Sequence, residues 1–568
     1  AGFDCHGLPV EVIVEKELGV QSKREIEESI GIKKFDETCL NKILNNERVW
    51  MKMYENLGAW RAFFEPYFTY KNYYIESAWW TLKRLHEKGF LTRGLKPIHW
   101  CPHCETALSG YEVSDSYKNV TDPSIFIKFP VSGKKNEFLL VWTTTPWTLV
   151  ANVAVAAHPT EEYVRARVGS ETLILAKKLA EPVLKEKLGL KYEIVDSFKG
   201  TELDGLKYEP VLSVPQQREL DGNEKARRVY LSIAIYKSKK YKKHSMREET
   251  EKEGKGPNGG EATRGAEEEF EEFVTMEDGT GLVHCAPGHG QSDYFLGEHY
   301  GLPAVSPVDE RGCFTEKAGS ELAGKFVKAA DKIIIERLES EGKLLHFEKV
   351  THSYPLCWRC KSPLVFRLSD QWYLKIDSIK DSLIEANSRI KWMPPSAKEA
   401  EHNWLVDAND WCVSQQRFWG IPMPVWVCGK CGPIDVIGSV AELREKAAGR
   451  VGDLKDLHRH SVDEIELNCA CGGRAKRVKD IFNVWFDSSI APWASLGYPQ
   501  ANKELFEQVF PVHLIDESQD QIRGWFYALL FSGMAVFGKP AFEKCGLNGW
   551  VVDEKGEKMS KSLGNVVS

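Results

Sequence analysis

Val509-Phe-Pro-Val-His-Leu-Ile515, Gln521-Ile-Arg-Gly-Trp-Phe-Tyr-Ala-Leu-Leu-Phe-Ser-Gly-Met-Ala-Val-Phe537, Gly546-Leu-Asn-Gly-Trp-Val-Val552 and Lys558-Met-Ser-Lys-Ser562 follow one another near the end of the chain. The first run reads as a buried strand, the second as an apolar helix and the third as another strand. Strand, helix and strand leading into a loop fit a doubly wound α/β sheet, where ligands sit at the carboxyl ends of the strands. The loop carries two lysines three apart, Lys558 and Lys561, spaced by Met559 and Ser560 and followed by Ser562. Lysine acts as a mobile point charge and the serines donate hydrogen bonds, so such a loop can fold over a polyphosphate. Taken bare, K-x-x-K is more often a solvated basic loop, and its context has to decide.

Outward from this stretch, 568 residues are too many for one core, and three or four modules are expected. A hydrophobic content of 42% and a charged content of 28% are ordinary for globular protein. The net charge of -7 argues against a uniformly basic coat for nucleic acid but leaves room for a local basic groove. No apolar run approaches the ~20 residues of a membrane-spanning helix, and no signal peptide is visible. Because Ala1 opens inside what reads as a motif, a further N-terminal piece is expected.

Fourteen cysteines are too dilute over this length for a disulfide scaffold, and their spacing points elsewhere. Cys101-Pro-His-Cys104, Cys357-Trp-Arg-Cys360 and Cys428-Gly-Lys-Cys431 are C-x-x-C pairs, and Cys469-Ala-Cys471 is a tighter pair. Two such knuckles complete a tetrahedral four-thiolate Zn2+ site. The expected sets are Cys101, Cys104, Cys357 and Cys360, and Cys428, Cys431, Cys469 and Cys471. Cys5, Cys39, Cys285, Cys313, Cys412 and Cys545 read as core or incidental thiols, and a reducing, cytoplasmic setting is expected.

The first hundred residues read as helical, with apolar periodicity over Glu11 to Leu18, Lys23 to Ile30, Phe35 to Leu57 and Tyr73 to Lys88. Beyond Cys104 the pattern becomes alternating and β-rich, as in Ser124 to Val131 and Phe138 to Thr145. This gives residues 1–118 and 351–568 as two parts of one α/β domain, interrupted by a β-rich module over 119–350. Within the module, 237–272 runs from a lysine block to a glutamate block with few apolar anchors, and reads as a surface excursion.

Several blocks together resemble one family. Gly2-Phe-Asp-Cys-His-Gly-Leu-Pro-Val-Glu11, Asp410-Trp-Cys-Val-Ser-Gln-Gln-Arg-Phe-Trp-Gly-Ile-Pro422, Val484-Trp-Phe-Asp-Ser-Ser489 and Asp520-Gln-Ile-Arg-Gly-Trp-Phe526 resemble, in order, the blocks of isoleucyl-tRNA synthetases, class I aminoacyl-tRNA synthetases. The lysine loop resembles their KMSKS signature. The resemblance implies ATP with Mg2+, isoleucine and its tRNA as partners, no membrane, and a monomer. It assigns Asp4 and Gln521 to the substrate ammonium and Trp485 and Trp525 to the walls of an apolar pocket. It places Glu517 on the adenosine ribose, and Lys558, Met559, Ser560, Lys561 and Ser562 over the phosphates, with the two lysines catalytic. It also implies that the His-x-Gly-His element lies upstream and that an anticodon-binding domain lies downstream.

A second pair of blocks, Trp142-Thr-Thr-Thr-Pro-Trp-Thr148 with Asn152, and Gly279-Thr-Gly-Leu-Val-His-Cys-Ala-Pro-Gly-His-Gly-Gln-Ser-Asp293, resembles the editing domain of isoleucyl, valyl and leucyl synthetases. There Asp293 would anchor the ammonium of a misattached amino acid. Thr143, Thr144 and Thr145 would contact the terminal adenosine and the water, Asn152 would belong to the same site, and His284 would shape the side-chain pocket. Phe3, Gln415, Ser518 and Gln519 depart from the family pattern. The rival readings are a valyl enzyme, a free-standing editing deacylase, and a zinc-stabilised RNA-binding scaffold.

Overall fold

The computed structural model describes residues 2–20, 22–58, 66–114, 116–232, 234–235, 271–432, 434–557 and 559. Lys558, Ser560, Lys561 and Ser562 of the lysine loop lie outside the described residues, as do residues 237–270 of the charged excursion. The chain forms two compact units, one from Ala1–Arg93 and Gln371–Ser568, the other from Gly94–Lys237 and Glu267–Asp370.

In the first unit the strands Lys391–Met393, Phe542–Asn548 and Val512–Ser518 lie side by side in that order, all parallel. Parallel neighbours need a crossover. Here it is the helix Trp525–Phe537, whose residues are almost all buried and which stops at Gly538 in the left-handed region. The Val512–Ser518 strand begins three residues later than the sequence pattern suggests, because Val509 closes a helix over Lys503–Val509. The last strand ends at Asn548, and Val551 and Val552 are exposed. A short apolar run does not say whether it is helix or strand, and both shifts fall on such runs.

The helices expected near the N-terminus are Leu8–Leu18, Ile32–Asn56 and Asn72–Glu87, with a short helical turn over Lys23–Ile30. The Leu8–Leu18 and Ile32–Asn56 helices share a core of Val14, Phe35, Cys39, Phe418 and Trp419.

The second unit is built on a nine-stranded sheet. At its centre Glu137–Thr143 runs parallel to Leu282–Cys285, which pairs antiparallel with Ala154–Ala157. Ala154–Ala157 is wholly buried, and its alanines let neighbouring layers approach closely. The long antiparallel pair Tyr117–Pro130 and Leu344–Pro355 joins the start and end of the module. Val283 lies opposite Trp142, so His284 and Thr143 stand at neighbouring strand positions.

Candidate active sites

The first block is held in place by a buried carboxylate. Glu11, on the Leu8–Leu18 helix, accepts from the backbone N–H of Phe418 at 2.9 Å and of Trp419 at 2.6 Å, and pairs with the Arg417 guanidinium. Glu15 joins the same guanidinium at 2.5 Å. Charged groups this deep stay ionised only when paired and hydrogen-bonded, and here both conditions hold. Two motif blocks 406 residues apart are thereby fixed to each other. Gly7 completes the arrangement: its φ is 96°, and a Cβ there would lie 2.4 Å from Val484, at the start of the Val484–Ser489 helix.

That helix gathers the residues expected to bind the amino acid. Trp485 and Trp525, the residues expected to wall the apolar pocket, are both half-buried. The Trp525 indole donates to the Ser488 carbonyl at 3.0 Å, and its backbone N–H donates to Gln521 Oε1 at 3.1 Å. Gly524 sits where a Cβ would come within 2.8 Å of Gln521 Oε1 and 3.0 Å of the Trp485 ring, so the three side chains converge on one spot. Asp4 opens to solvent but is crowded by protein on its other sides. That loss of water pushes its carboxyl up to about 7, and the neighbouring Asp487 adds to the shift. Asp4 has no hydrogen-bond partner among the described residues.

Glu517 and Ser518 lie at the carboxyl end of their strand, opposite Leu547 and Asn548. Ser518 donates to Glu517 Oε2 through its N–H at 2.8 Å, which turns the exposed carboxylate in place. Of the lysine loop only Met559 is described, and its N–H donates to the Val551 carbonyl at 2.9 Å. Gln415, where the family pattern has a basic residue, is buried in a two-residue strand paired with Ile481–Phe482.

In the second unit the threonines and His284 form one network. Asn152 Nδ2 donates to the Ala154 carbonyl at 2.9 Å and to His284 Nδ1 at 3.0 Å, while its Oδ1 accepts from the Tyr208 hydroxyl at 2.7 Å. An amide donating into Nδ1 leaves the imidazole proton on Nε2, which donates to Thr148 Oγ1 at 2.7 Å. Thr148 passes its own proton to the Thr145 carbonyl at 2.7 Å. Thr143 Oγ1 accepts from the Thr145 N–H at 3.1 Å, and Thr144, half-buried, stands between them. Burial pushes His284 down to about 3. With both ring nitrogens engaged, the neutral ring is held in one orientation.

Asp293 lies in the first turn of the Gln291–Tyr300 helix and accepts from the Ala286 N–H at 2.9 Å, just past the strand that carries His284. Burial pushes its carboxyl up to about 7 against that hydrogen bond. Motif reading did not single out Thr148, Tyr208 or, in the first unit, His458 and Asp487. Thr148 and Asp487 sit inside quoted blocks, and Tyr208 and His458 carry no local signal.

Both cysteine sets come together, and in each the four Sγ atoms lie within 4.8 Å of one another. Cys101 and Cys360 are 3.4 Å apart, Cys428 and Cys471 3.5 Å, and Cys431 and Cys469 3.5 Å. With a Zn–S bond of ~2.3 Å, a tetrahedron has edges of about 3.8 Å, so either cluster fits one such ion.

Comparison with known proteins bears on all of this. The family description "tRNA synthetases class I (I, L, M and V)" matches residues 1–568. The chain belongs to the class I tRNA synthetases. Isoleucine–tRNA ligases of Pyrococcus furiosus and Methanocaldococcus jannaschii are 44% and 43% identical to this synthetase chain over 595 and 580 residues. Each match takes in 100% of the chain but 52% and 51% of the relative, so the chain spans about half the length of the curated relatives it matches. Among solved structures, a LeuRS–tRNA–LeuAMS ternary complex from Agrobacterium radiobacter K84 aligns over 100% of the chain and 61% of its own, at 15% identity and a TM-score of 0.39. The family uses ATP, and no helix among the described residues is long and apolar enough to cross a membrane.

Proposed function

We propose that this chain carries the amino-acid-activating and editing parts of an isoleucine–tRNA ligase, acting in the cytoplasm as a monomer on isoleucine, ATP with Mg2+, and the isoleucine tRNA. The observation that carries the reading is Asp4, an accessible carboxylate with no partner among the described residues, beside the helix that turns Trp485 toward Gln521 and Trp525. An ammonium leaving water needs a charge-assisted acceptor of this kind, and a branched apolar side chain suits indole walls. The substrate carboxylate then attacks the α-phosphorus of ATP, with Glu517 holding the ribose and Lys558 and Lys561 covering the phosphates. Positioning and charge stabilisation do most of this work.

One methylene is worth only ~1–3 kcal/mol, and the isoleucine–valine pair is itself the standard illustration of that limit. Hydrolysis at a second site supplies the remaining discrimination, with Asp293 on the ammonium, Thr143, Thr144 and Thr145 around the adenosine and the water, and His284 as the wall. The matched relatives are isoleucine ligases, which favours this reading over the valyl one.

Deacylation of Val-tRNA(Ile) and Ile-tRNA(Ile) by the full-length protein tests the editing half. Asp293→Ala is expected to lose the Val-tRNA reaction, since the charge-assisted contact alone is worth ~1.5–3 kcal/mol. His284→Ala is expected to admit Ile-tRNA as well. An Asp293→Ala protein that clears Val-tRNA at the wild-type rate overturns the assignment.

A further inference from the structure

Asp487, His6, His458 and Asp456 form one unbranched file in the first unit. Asp487 Oδ2 lies 2.9 Å from His6 Nδ1, His6 Nε2 lies 3.0 Å from His458 Nε2, and His458 Nδ1 lies 2.7 Å from Asp456 Oδ1. The first three side chains are buried and Asp456 is partly exposed, so the file runs from the carboxyl beside Asp4 out to the surface. His458 lies flat on Trp419, with ring centroids 4.4 Å apart, and His6 meets the same indole edge-on at 5.3 Å. Both rings are held in place by this packing.

The hydrogen bonds give the file a direction. Asp456 accepts from both the backbone N–H and Nδ1 of His458, at 2.6 and 2.7 Å, which makes it the carboxylate end. Burial opposes its ionisation, yet those bonds hold its carboxyl down at about 2. His458 Nδ1 therefore carries hydrogen, and a neutral His458 accepts at Nε2. His6 then donates from Nε2, its Nδ1 is left as an acceptor, and Asp487 Oδ2 must donate to it as a carboxylic acid. The reverse direction needs an imidazolium at the buried His458. It also needs a carboxylate at Asp487, whose Oδ1 is buried without a partner among the described residues. Both are costly in the interior.

We propose that His6, His458 and Asp456 are positioning residues that keep Asp487 protonated, so that Asp4 alone presents negative charge to the substrate ammonium. The proposal rests on the amino-acid pocket assigned above. Like charges oppose each other's ionisation, and an ionised Asp487 would hold Asp4 in its neutral form. The other groups around the file agree with this direction. Tyr67, Tyr74 and Cys5, near Asp4 and Asp487, are pushed up by burial and stay neutral. Asp36 binds His460 Nδ1 at 2.8 Å and raises its pKa, and His460 Nε2 stands 4.0 Å from Asp456, favouring the carboxylate there. Arg459, which pairs with Asp463, adds positive charge on the His458 side.

Nitrogen-15 spectra of histidine-labelled protein at neutral pH test the direction without any ligand, using His6→Gln and His458→Gln to assign the signals. The expected result is a neutral His6 protonated on Nε2 and a neutral His458 protonated on Nδ1. A proton on His6 Nδ1, or an imidazolium at His458, overturns the proposal. In the full-length protein, Asp456→Ala removes the carboxylate that holds the His458 proton on Nδ1. That proton is then released to solvent at the surface end, the His6 Nε2 proton passes to His458 Nε2, the Asp487 proton passes to His6 Nδ1, and Asp487 is left ionised. The rise in KM for isoleucine on acidification should then begin about one pH unit higher, with kcat on its plateau little changed. A folded variant with an unmoved KM profile overturns the proposal. If the variant fails to fold, the wild-type tautomers decide. Wild-type protein lacking isoleucine-dependent pyrophosphate exchange would overturn the pocket assignment and this proposal together, whereas exchange with the wrong tautomers would overturn this proposal alone.

Discussion

His6 in the first unit and His284 in the second are the same residue under similar burial, and burial pushes both down to about 3. Their partners differ in kind. His284 is bound by an amide and a hydroxyl; the hydroxyl line ends on the Thr145 carbonyl, and the amide is held by the Ala154 carbonyl and the Tyr208 hydroxyl. Nothing in that network can take up or release charge near neutral pH, so it can only hold shape. The line through His6 ends in carboxyls at Asp487 and Asp456 and so fixes where a proton sits. Burial alone therefore does not tell a wall from a charge-setting element; the groups at the ends of the hydrogen-bond line do.

The two thiol clusters extend the contrast and carry the largest expected effect. Cys101, Cys104 and Cys357 are buried in the second unit and Cys360 is partly so, whereas in the first unit Cys431 is exposed and Cys469 and Cys471 are half-exposed. The buried cluster draws its four thiols from both ends of the second unit, so a zinc ion held there would close a long loop. Cys357→Ser is expected to lose one of two zinc ions per chain and to destabilise the second unit by several kcal/mol. Cys431→Ser should cost less. Metal analysis checks both, with hydrogen exchange over Tyr117–Pro130 for the first variant and over Val425–Cys428 for the second, and a chelator that strips the buried cluster first would break the contrast.

Asp4 comes next. Its carboxyl, at about 7, must be ionised to hold an ammonium, so KM for isoleucine should rise as pH falls through that value and level off above it. Asp4→Asn is expected to raise KM about ten- to a hundredfold, from a contact of ~1.5–3 kcal/mol, and to flatten that pH dependence. Pyrophosphate exchange across pH 5.5 to 8.5 (a range set about Asp4's value of about 7) reads both. A variant that keeps the wild-type dependence would place the titrating group elsewhere.

Much of this was legible in the sequence, and the part that was not has one physical cause. The motif blocks were legible through their resemblance to a family, and the cysteine sets, the early helices and the β-rich module through local spacing. The strands around Val512–Ser518 and Phe542–Asn548 were displaced because short apolar runs carry no period. The partners of motif residues were hidden for a different reason. Glu11 meets Arg417, His6 meets Asp487 and His458, and Asn152 meets Tyr208 across separations from 56 to 481 residues. Such contacts are set by the tertiary fold and leave no local periodicity. The lysine loop was the strongest local signal, and apart from Met559 its site residues fall outside the described residues.

The smallest expected effect tests the static half of the comparison. Tyr208→Phe deletes the hydroxyl that donates to Asn152 Oδ1 and leaves that buried oxygen without its donor. The cost should be ~1–3 kcal/mol, read as faster hydrogen exchange in Ala154–Ala157 and Leu282–Cys285. The amide should not turn over to compensate, because Nδ2 is still held by the Ala154 carbonyl and by His284 Nδ1, and a flipped amide would set two acceptors face to face at Ala154. His284 should therefore keep its proton on Nε2 in the nitrogen-15 spectrum, and the choice between Val-tRNA and Ile-tRNA should stay within about twofold of wild type. The two units are thus expected to respond differently to the loss of an outer partner. Removing Asp456 reverses a line that ends in carboxyls, whereas removing Tyr208 weakens a line whose direction Ala154 still fixes. A tautomer change at His284 in Tyr208→Phe would show that the second unit, too, depends on its outermost group for direction.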